Sequence, residues 1–240
     1  MPNPTAAMLV IGDEILSGRT RDANMHHLAG QLTVAGIDLK EVRIVSDDAP
    51  AIIAAVKALS AGFDHVFTSG GIGPTHDDIT ADCIAAAFGD SIDVRADARA
   101  LLQAHYDKSG QDLNAARLRM ARIPATATLI ENPVSTAPGF TLGNVHVMAG
   151  VPSVFQAMVA SVLPNLTGGA PLVSRSLAVM RGEGNIAGPL GAFAADHPDL
   201  SVGSYPFQKD GVYGANLVIR GADPAQVDAA FATLSQLFAR

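Results

Sequence analysis

Short, unbroken apolar runs alternate along the chain with longer stretches whose apolar residues fall three and four apart. Ala6 to Ile11, Ile37 to Val45 and Asp64 to Phe67 are the first three runs and read as strands. The first has no polar alternation, as expected of a strand covered on both faces. Between the runs, Met25, Leu28, Ala29 and Leu32 share one face of a helix that opens at Asp22 and stops at Gly36. Ile52, Ile53, Val56 and Leu59 form the face of a second helix, with Asp48 as N-cap and Pro50 close behind. Residues 78–88 read as a third, with Ile79, Cys83, Ile84 and Ala87 at helical spacing. Strands alternating with helices predict an α/β fold, a mostly parallel sheet with helices on both faces.

Further on, helices are expected over Ala96 to Lys108 and Leu113 to Ala121, and a short strand over Thr126 to Ile130. A turn-rich loop, Glu131 to Gly139, leads into a hairpin, Phe140 to Leu142 and Val145 to Met148. A helix then runs from Ala149-Gly-Val-Pro-Ser153 to about Leu163. Pro164 to Pro171 has the composition of a boundary. It separates a first domain, residues 1–168, from a second, residues 172–240. The second reads strand, helix, strand, strand, helix, the order of a small split βαβ module with an antiparallel sheet.

The stretch that changes the picture is Thr68-Ser-Gly-Gly-Ile-Gly-Pro-Thr-His-Asp-Asp-Ile-Thr80, directly after a strand and before a helix. Gly70, Gly71 and Gly73 let the backbone reach positive φ and approach a ligand closely. Free N–H groups at a helix start attract phosphate. Asp77 and Asp78 do not attract phosphate; a divalent cation bridging carboxylate and phosphate reconciles the two features, while one of them can serve as a helix cap. A second polar loop, Gly12-Asp-Glu-Ile-Leu-Ser-Gly-Arg19, also follows a strand. Both loops belong on the carboxyl edge of the sheet, where ligands bind in such folds.

Composition narrows the choices. The chain is 48% hydrophobic with a net charge of −7 and no cluster of basic residues, which argues against nucleic acid as partner. No apolar stretch reaches the ~18 residues that span a membrane, and the first residues lack the pattern of a signal peptide. A cytoplasmic protein is expected. The single cysteine, Cys83, excludes an internal disulfide and falls on an apolar helix face, where it packs.

Ile11-Gly-Asp-Glu-Ile-Leu-Ser-Gly18 with Asn24, Val45-Ser-Asp-Asp48, the 68–80 stretch, Asn132-Pro-Val-Ser-Thr-Ala-Pro-Gly-Phe140 and Gly150-Val-Pro152 together resemble the MoaB/Mog molybdopterin-binding superfamily. Within it they resemble the N-terminal domain of CinA-type competence/damage-inducible proteins, over about residues 6–165; the last 70 or so residues resemble the small subdomain that follows there. The 68–80 stretch is also similar to the domain fused to eukaryotic FAD synthases. Ser135 departs from the Gly usual in CinA-type proteins. The resemblance implies a three-layer fold and a homo-oligomer. It implies either metal-dependent hydrolysis of ADP-ribose-like pyrophosphates or binding of molybdopterin or a nucleotide without turnover, linked to molybdenum cofactor biosynthesis. The nicotinamide-mononucleotide deamidase domain of full-length CinA proteins has no counterpart in this sequence, so that activity is expected to be absent.

Taken together, Asp77, Asp78 and Glu14 are the expected metal ligands for Mg²⁺, Mn²⁺ or Co²⁺, with Asp13 as a further oxygen ligand or general base. Ser69, Gly70, Gly71, Gly73 and Thr75 are expected to hold phosphate, joined by Gly12 and by Asn24 as a hydrogen-bonding group. His76 could pass a proton, and Arg19 could pair a phosphate; a solvated side chain is the plainer expectation for both. Ser135, Thr136 and Gly139 are expected to close over a bound base.

Overall fold

In the computed structural model the first apolar run forms β1 (Thr5–Ile11), buried at every position after Thr5. It sits between two parallel neighbours, so neither edge faces solvent. The structure describes residues 2–209 and 211–239; Met1 and Arg240, the outer bounds of the two expected domains, lie outside them. The chain divides into two compact units between Gly169 and Ala170.

In the first unit β1 is followed by a single turn, α1 (Asp13–Leu16), then α2 (Asn24–Ala35), β2 (Asp38–Val45), α3 (Ala49–Gly62), β3 (His65–Ser69) and α4 (Thr80–Phe88). Next come β4 (Ile92–Val94), α5 (Ala96–Ser109), α6 (Ala115–Leu118), β5 (Arg122–Pro124) and β6 (Thr128–Ile130). The hairpin β7 (Gly139–Leu142) and β8 (Val145–Met148) precedes α7 (Pro152–Val162). The main sheet has the order β2-β1-β3-β8-β7-β6. Its first four strands run parallel; β7 and β6 are antiparallel.

Alternation along β1 sorts the core into two layers. Ala7, Leu9 and Ile11 pack with Ile52, Val56 and Leu59 of α3 and Ile84 of α4. Ala6, Met8 and Val10 pack with Leu28 and Leu32 of α2 and Phe155, Met158 and Val159 of α7. Helices on both faces make the three-layer α/β fold. Cys83 is buried in the first layer, and burial pushes its thiol up to about 11, which leaves it unreactive.

Three expected helices shift in the structure. The helix expected from Asp78 begins at Thr80, because the Asp78 carboxylate is spent on Thr75 instead of on the helix end. The helix expected over 113–121 shrinks to α6 and one 3₁₀ turn, Arg119–Ala121, because Arg122–Pro124 leave to pair with β4. That two-stranded sheet escapes sequence reading because three-residue strands show no period. The helix expected from Ala149 starts at Pro152, where the missing N–H costs nothing.

The second unit runs β9 (Val173–Val179), α8 (Glu183–Asp196), β10 (Ser201–Lys209), β11 (Val212–Gly221) and α9 (Pro224–Phe238). Its sheet, β10-β11-β9, is antiparallel throughout. Ala215, Leu217 and Ile219 of β11 bury against Ile186, Leu190 and Phe193 of α8 and Val227, Ala230 and Leu234 of α9. Asp223 caps α9, accepting from Ala225 N at 2.9 Å, with Pro224 at its first position.

At the amino ends of β3 and β8, His146 is buried, with Nδ1 3.0 Å from Thr141 Oγ1 and Nε2 3.3 Å from His65 Nδ1. Burial, and secondarily the neighbouring His65, push its pKa from 6.5 to about 4. The unfolded chain binds this proton at higher pH than the folded one. Stability is therefore complete above pH 6.5 and is lost as pH falls towards 4, by up to about 3 kcal/mol. Urea midpoints measured from pH 7 to pH 4 should fall in this window, and should fall less in His146→Phe.

Candidate functional site

The chain leaving β3 must turn under the end of β1, and only glycine fits there. Gly70 has φ +108°, and a Cβ on it would run into the Ile11 carbonyl oxygen. Gly71 has φ +69°, and its Cβ would strike the Thr80 hydroxyl. Thr80, the buried first residue of α4, closes the turn: its N–H donates to Gly71 O at 2.9 Å and its hydroxyl to Gly70 O at 3.0 Å. Gly70 N donates to Met148 O at 3.1 Å, tying the turn to β8.

Beyond the glycines, Asp78 fixes the rest of the loop. Its Oδ2 accepts from Thr75 N at 2.7 Å and from Thr75 Oγ1 at 2.6 Å. Thr75 is thereby turned towards Asp78. From the other side Arg119 Nη2 donates to Asp78 O at 3.2 Å. Asp77 stays largely exposed, with the almost fully exposed His76 ring 3.9 Å away.

The first polar loop is held by a residue that sequence reading left without a role. Gly12 N donates to Val45 O at 3.1 Å, and Asp13 N donates to Asp47 Oδ2 at 3.0 Å. Burial raises the Asp47 carboxyl above its ordinary value, and Asp13, Glu14 and Asp77 push it further. Its position just past the end of β2, on the carboxyl edge, was the available signal; Asp48 beside it drew attention as the cap of α3.

These loops enclose a cavity of about 540 Å³ at the carboxyl edge of the parallel strands. Gly12, Glu14, Asp47, Gly70, Gly71, Gly73, Asp77 and Asp78 all line it. Ile72, Met120, Pro138 and Val151 supply apolar wall, and Asn132 and Ser135 add polar groups. No Lys, Arg or His is among the described residues lining it. Asp13, Thr75, Ser69 and Asn24 do not line this cavity, nor does Arg19. Asn24 and Ser69 are buried behind it, where Asn24 Nδ2 donates to Ser69 Oγ at 2.8 Å and to Gly150 O at 2.7 Å.

The loop 132–138 forms the facing wall. Asn132 Oδ1 accepts from Val134 N and Ser135 N at 3.1 and 3.2 Å, while its Nδ2 donates to Ser135 Oγ and Ala137 O at 2.6 and 2.8 Å. Thr136 sits at φ +65°, a strained position for a β-branched residue, its Oγ1 3.1 Å from His105 Nδ1. Neither it nor Gly139 lines the cavity.

As a metal centre the site is open. Glu14, Asp77 and Asp78 line one cavity, and Thr75 bonds the carboxylates of both Asp77 and Asp78. Among the described residues no three His, Cys, Asp or Glu side chains are grouped to hold an ion. The carboxylates suit a mode with one or two protein oxygens and substrate phosphates completing the shell.

Comparison with known proteins agrees with this geometry. The family described as probable molybdopterin binding domain matches residues 7–168, and that described as FAD synthase, middle domain, matches residues 171–240. The chain belongs to the MoaB/Mog family, in its CinA-like branch. A CinA-like protein of Citrifermentans bemidjiense is 39% identical over 167 residues, covering 68% of this chain and 40% of that protein. A probable FAD synthase of Caenorhabditis elegans is 32% identical over 260 residues, covering 98% of this chain and 50% of that protein. The chain thus spans less than two thirds of either curated relative. The crystal structure of a CinA protein of unknown function from Thermoplasma acidophilum is 35% identical, with a TM-score of 0.62 over 68% of this chain and 97% of that one. Among the described residues no helix is long and apolar enough to cross a membrane.

Gly70→Ala tests the turn. Steric conflict with Ile11 and a positive φ should together cost at least ~2 kcal/mol, seen as a lower urea midpoint with an unchanged slope.

Proposed function

We propose that the cavity binds a phosphate-bearing heterocycle and, with a divalent ion, hydrolyses the pyrophosphate of an ADP-ribose-like dinucleotide. The observation that carries this reading is a glycine turn built for close backbone approach, facing carboxylates with no basic side chain among the described lining residues to offset them. A phosphate brought to Gly70–Gly73 meets the negative field of Glu14, Asp47 and Asp77, which a shared Mg²⁺, Mn²⁺ or Co²⁺ would balance. Such an ion, when bound, neutralises charge on the leaving phosphate and acidifies a water. Glu14 and Asp77 are the residues to hold it. Asp78 shapes the loop through Thr75, and Asp47 takes the proton-accepting position expected of Asp13, which it anchors. Ile72, Met120, Pro138 and Val151 offer a flat heterocycle an apolar wall. Similarity to a protein named for FAD synthesis supports a dinucleotide ligand, since FAD joins two nucleotides through a pyrophosphate.

A second reading, binding of molybdopterin or a nucleotide without turnover, in molybdenum cofactor biosynthesis, is favoured by the lack of any three grouped metal-binding side chains among the described residues.

The test is AMP release from ADP-ribose with each metal. AMP should form only with metal and fall by roughly a hundredfold in Asp77→Asn, with stability unchanged because Asp77 is exposed. Unaltered turnover in Asp77→Asn removes the site assignment. Tight pterin binding with no AMP under any metal selects the second reading.

A further inference from the structure

Beside the cavity lies a recess of about 60 Å³, and the two share Ile11, Glu14, Thr20, Gly150 and Pro152 as common wall. Asn24 and Ser69 line the recess. Asn24 is 3% exposed, and both hydrogens of its amide are committed, to Ser69 Oγ and Gly150 O. Its Oδ1 is buried with no hydrogen-bond partner. The amide cannot be reversed to relieve this, because the Gly150 carbonyl only accepts. A buried acceptor left bare costs about 1–3 kcal/mol, so something with a donor belongs there. Ser69 Oγ accepts from Asn24, which leaves its own hydrogen to donate.

Asn24, which carries the unpartnered acceptor, and Ser69, which carries the donor, both line the recess together with Glu14. One hydroxyl group satisfies both Asn24 and Ser69, because it donates and accepts at once. A neighbouring hydroxyl can donate to Glu14. Phosphate does not suit the place. The Asp22 carboxylate already takes the N–H groups of Asn24 and Met25, at 3.3 and 3.0 Å, and among the described lining residues Glu14 and Asp22 outnumber the one cation, Arg21. A vicinal diol offers two such hydroxyls side by side.

We infer that this recess is a sugar subsite, which seats the 2′,3′-diol of a ribonucleotide while its phosphates lie against the glycine turn. The inference rests on the nucleotide reading of the neighbouring cavity and deepens it. It makes the ligand a ribonucleotide and not a pterin, because a pterin lacks the ribose diol. Asn24 and Ser69 act here through the ligand's hydroxyls, which their burial alone would not suggest.

Calorimetric titration of the full chain, with Mg²⁺ present, against ADP and 2′,3′-dideoxy-ADP tests it without altering the protein. ADP should bind about tenfold tighter or more, one hydrogen-bonded group's worth of affinity. In Ser69→Ala, the ratio should shrink towards one. Equal affinity of the two nucleotides for the wild type overturns the sugar subsite and leaves the nucleotide reading standing. Binding of neither overturns both.

Discussion

The turn at Gly70 and Gly71 is the constraint on which the rest of the first unit's site depends. The chain leaving β3 has to pass so close to the Ile11 carbonyl that no Cβ is tolerated. Thr80 closes that turn with two hydrogen bonds from inside the protein, so the start of α4 and the end of β3 are fixed as one piece. Because Gly70 also bonds Met148, the ends of β3 and β8 are set together, and the Gly150 loop is brought to Asn24. The cavity is the space these approaches leave.

Two kinds of carboxylate border that space, and they do different physical work. Asp78 and Asp47 are acceptors for backbone N–H groups, of Thr75 and Asp13, and so hold loops in shape. Asp77, largely exposed, takes the Thr75 side chain and its own backbone N–H, and Glu14 lines the cavity. Among the described residues no Lys or Arg lines the cavity, so its carboxylates make it negative.

The first unit holds both a strained residue and buried polar atoms with unmet hydrogen bonds. Thr136 is held at positive φ in the loop facing the glycine turn, and Asn24 Oδ1 is left without a partner behind it. A core built only for stability would remove both. Neither residue lines the main cavity; Asn24 lines the recess beside it.

The order of elements was legible in the chain. The apolar run Ala6 to Ile11, the capped helices and the glycine turn define a mostly parallel sheet, because burial on both faces leaves a pattern of its own. The 68–80 stretch also announced itself, since only a special backbone needs three glycines so close together. What stayed hidden depends on partners distant in sequence. Whether Asp78 capped a helix or clamped Thr75 turned on a contest between two nearby donors. Asp47 became part of the site only when β2 was laid beside β1. The pairing of β4 with β5 joined residues too few to show a period. Asn24 read as a ligand-binding polar residue, yet folding turned its amide inward to Ser69 and Gly150 and left only its oxygen free. Local pattern determines where strands and helices run; which polar atoms remain unsatisfied is decided only when segments far apart in the chain are packed together.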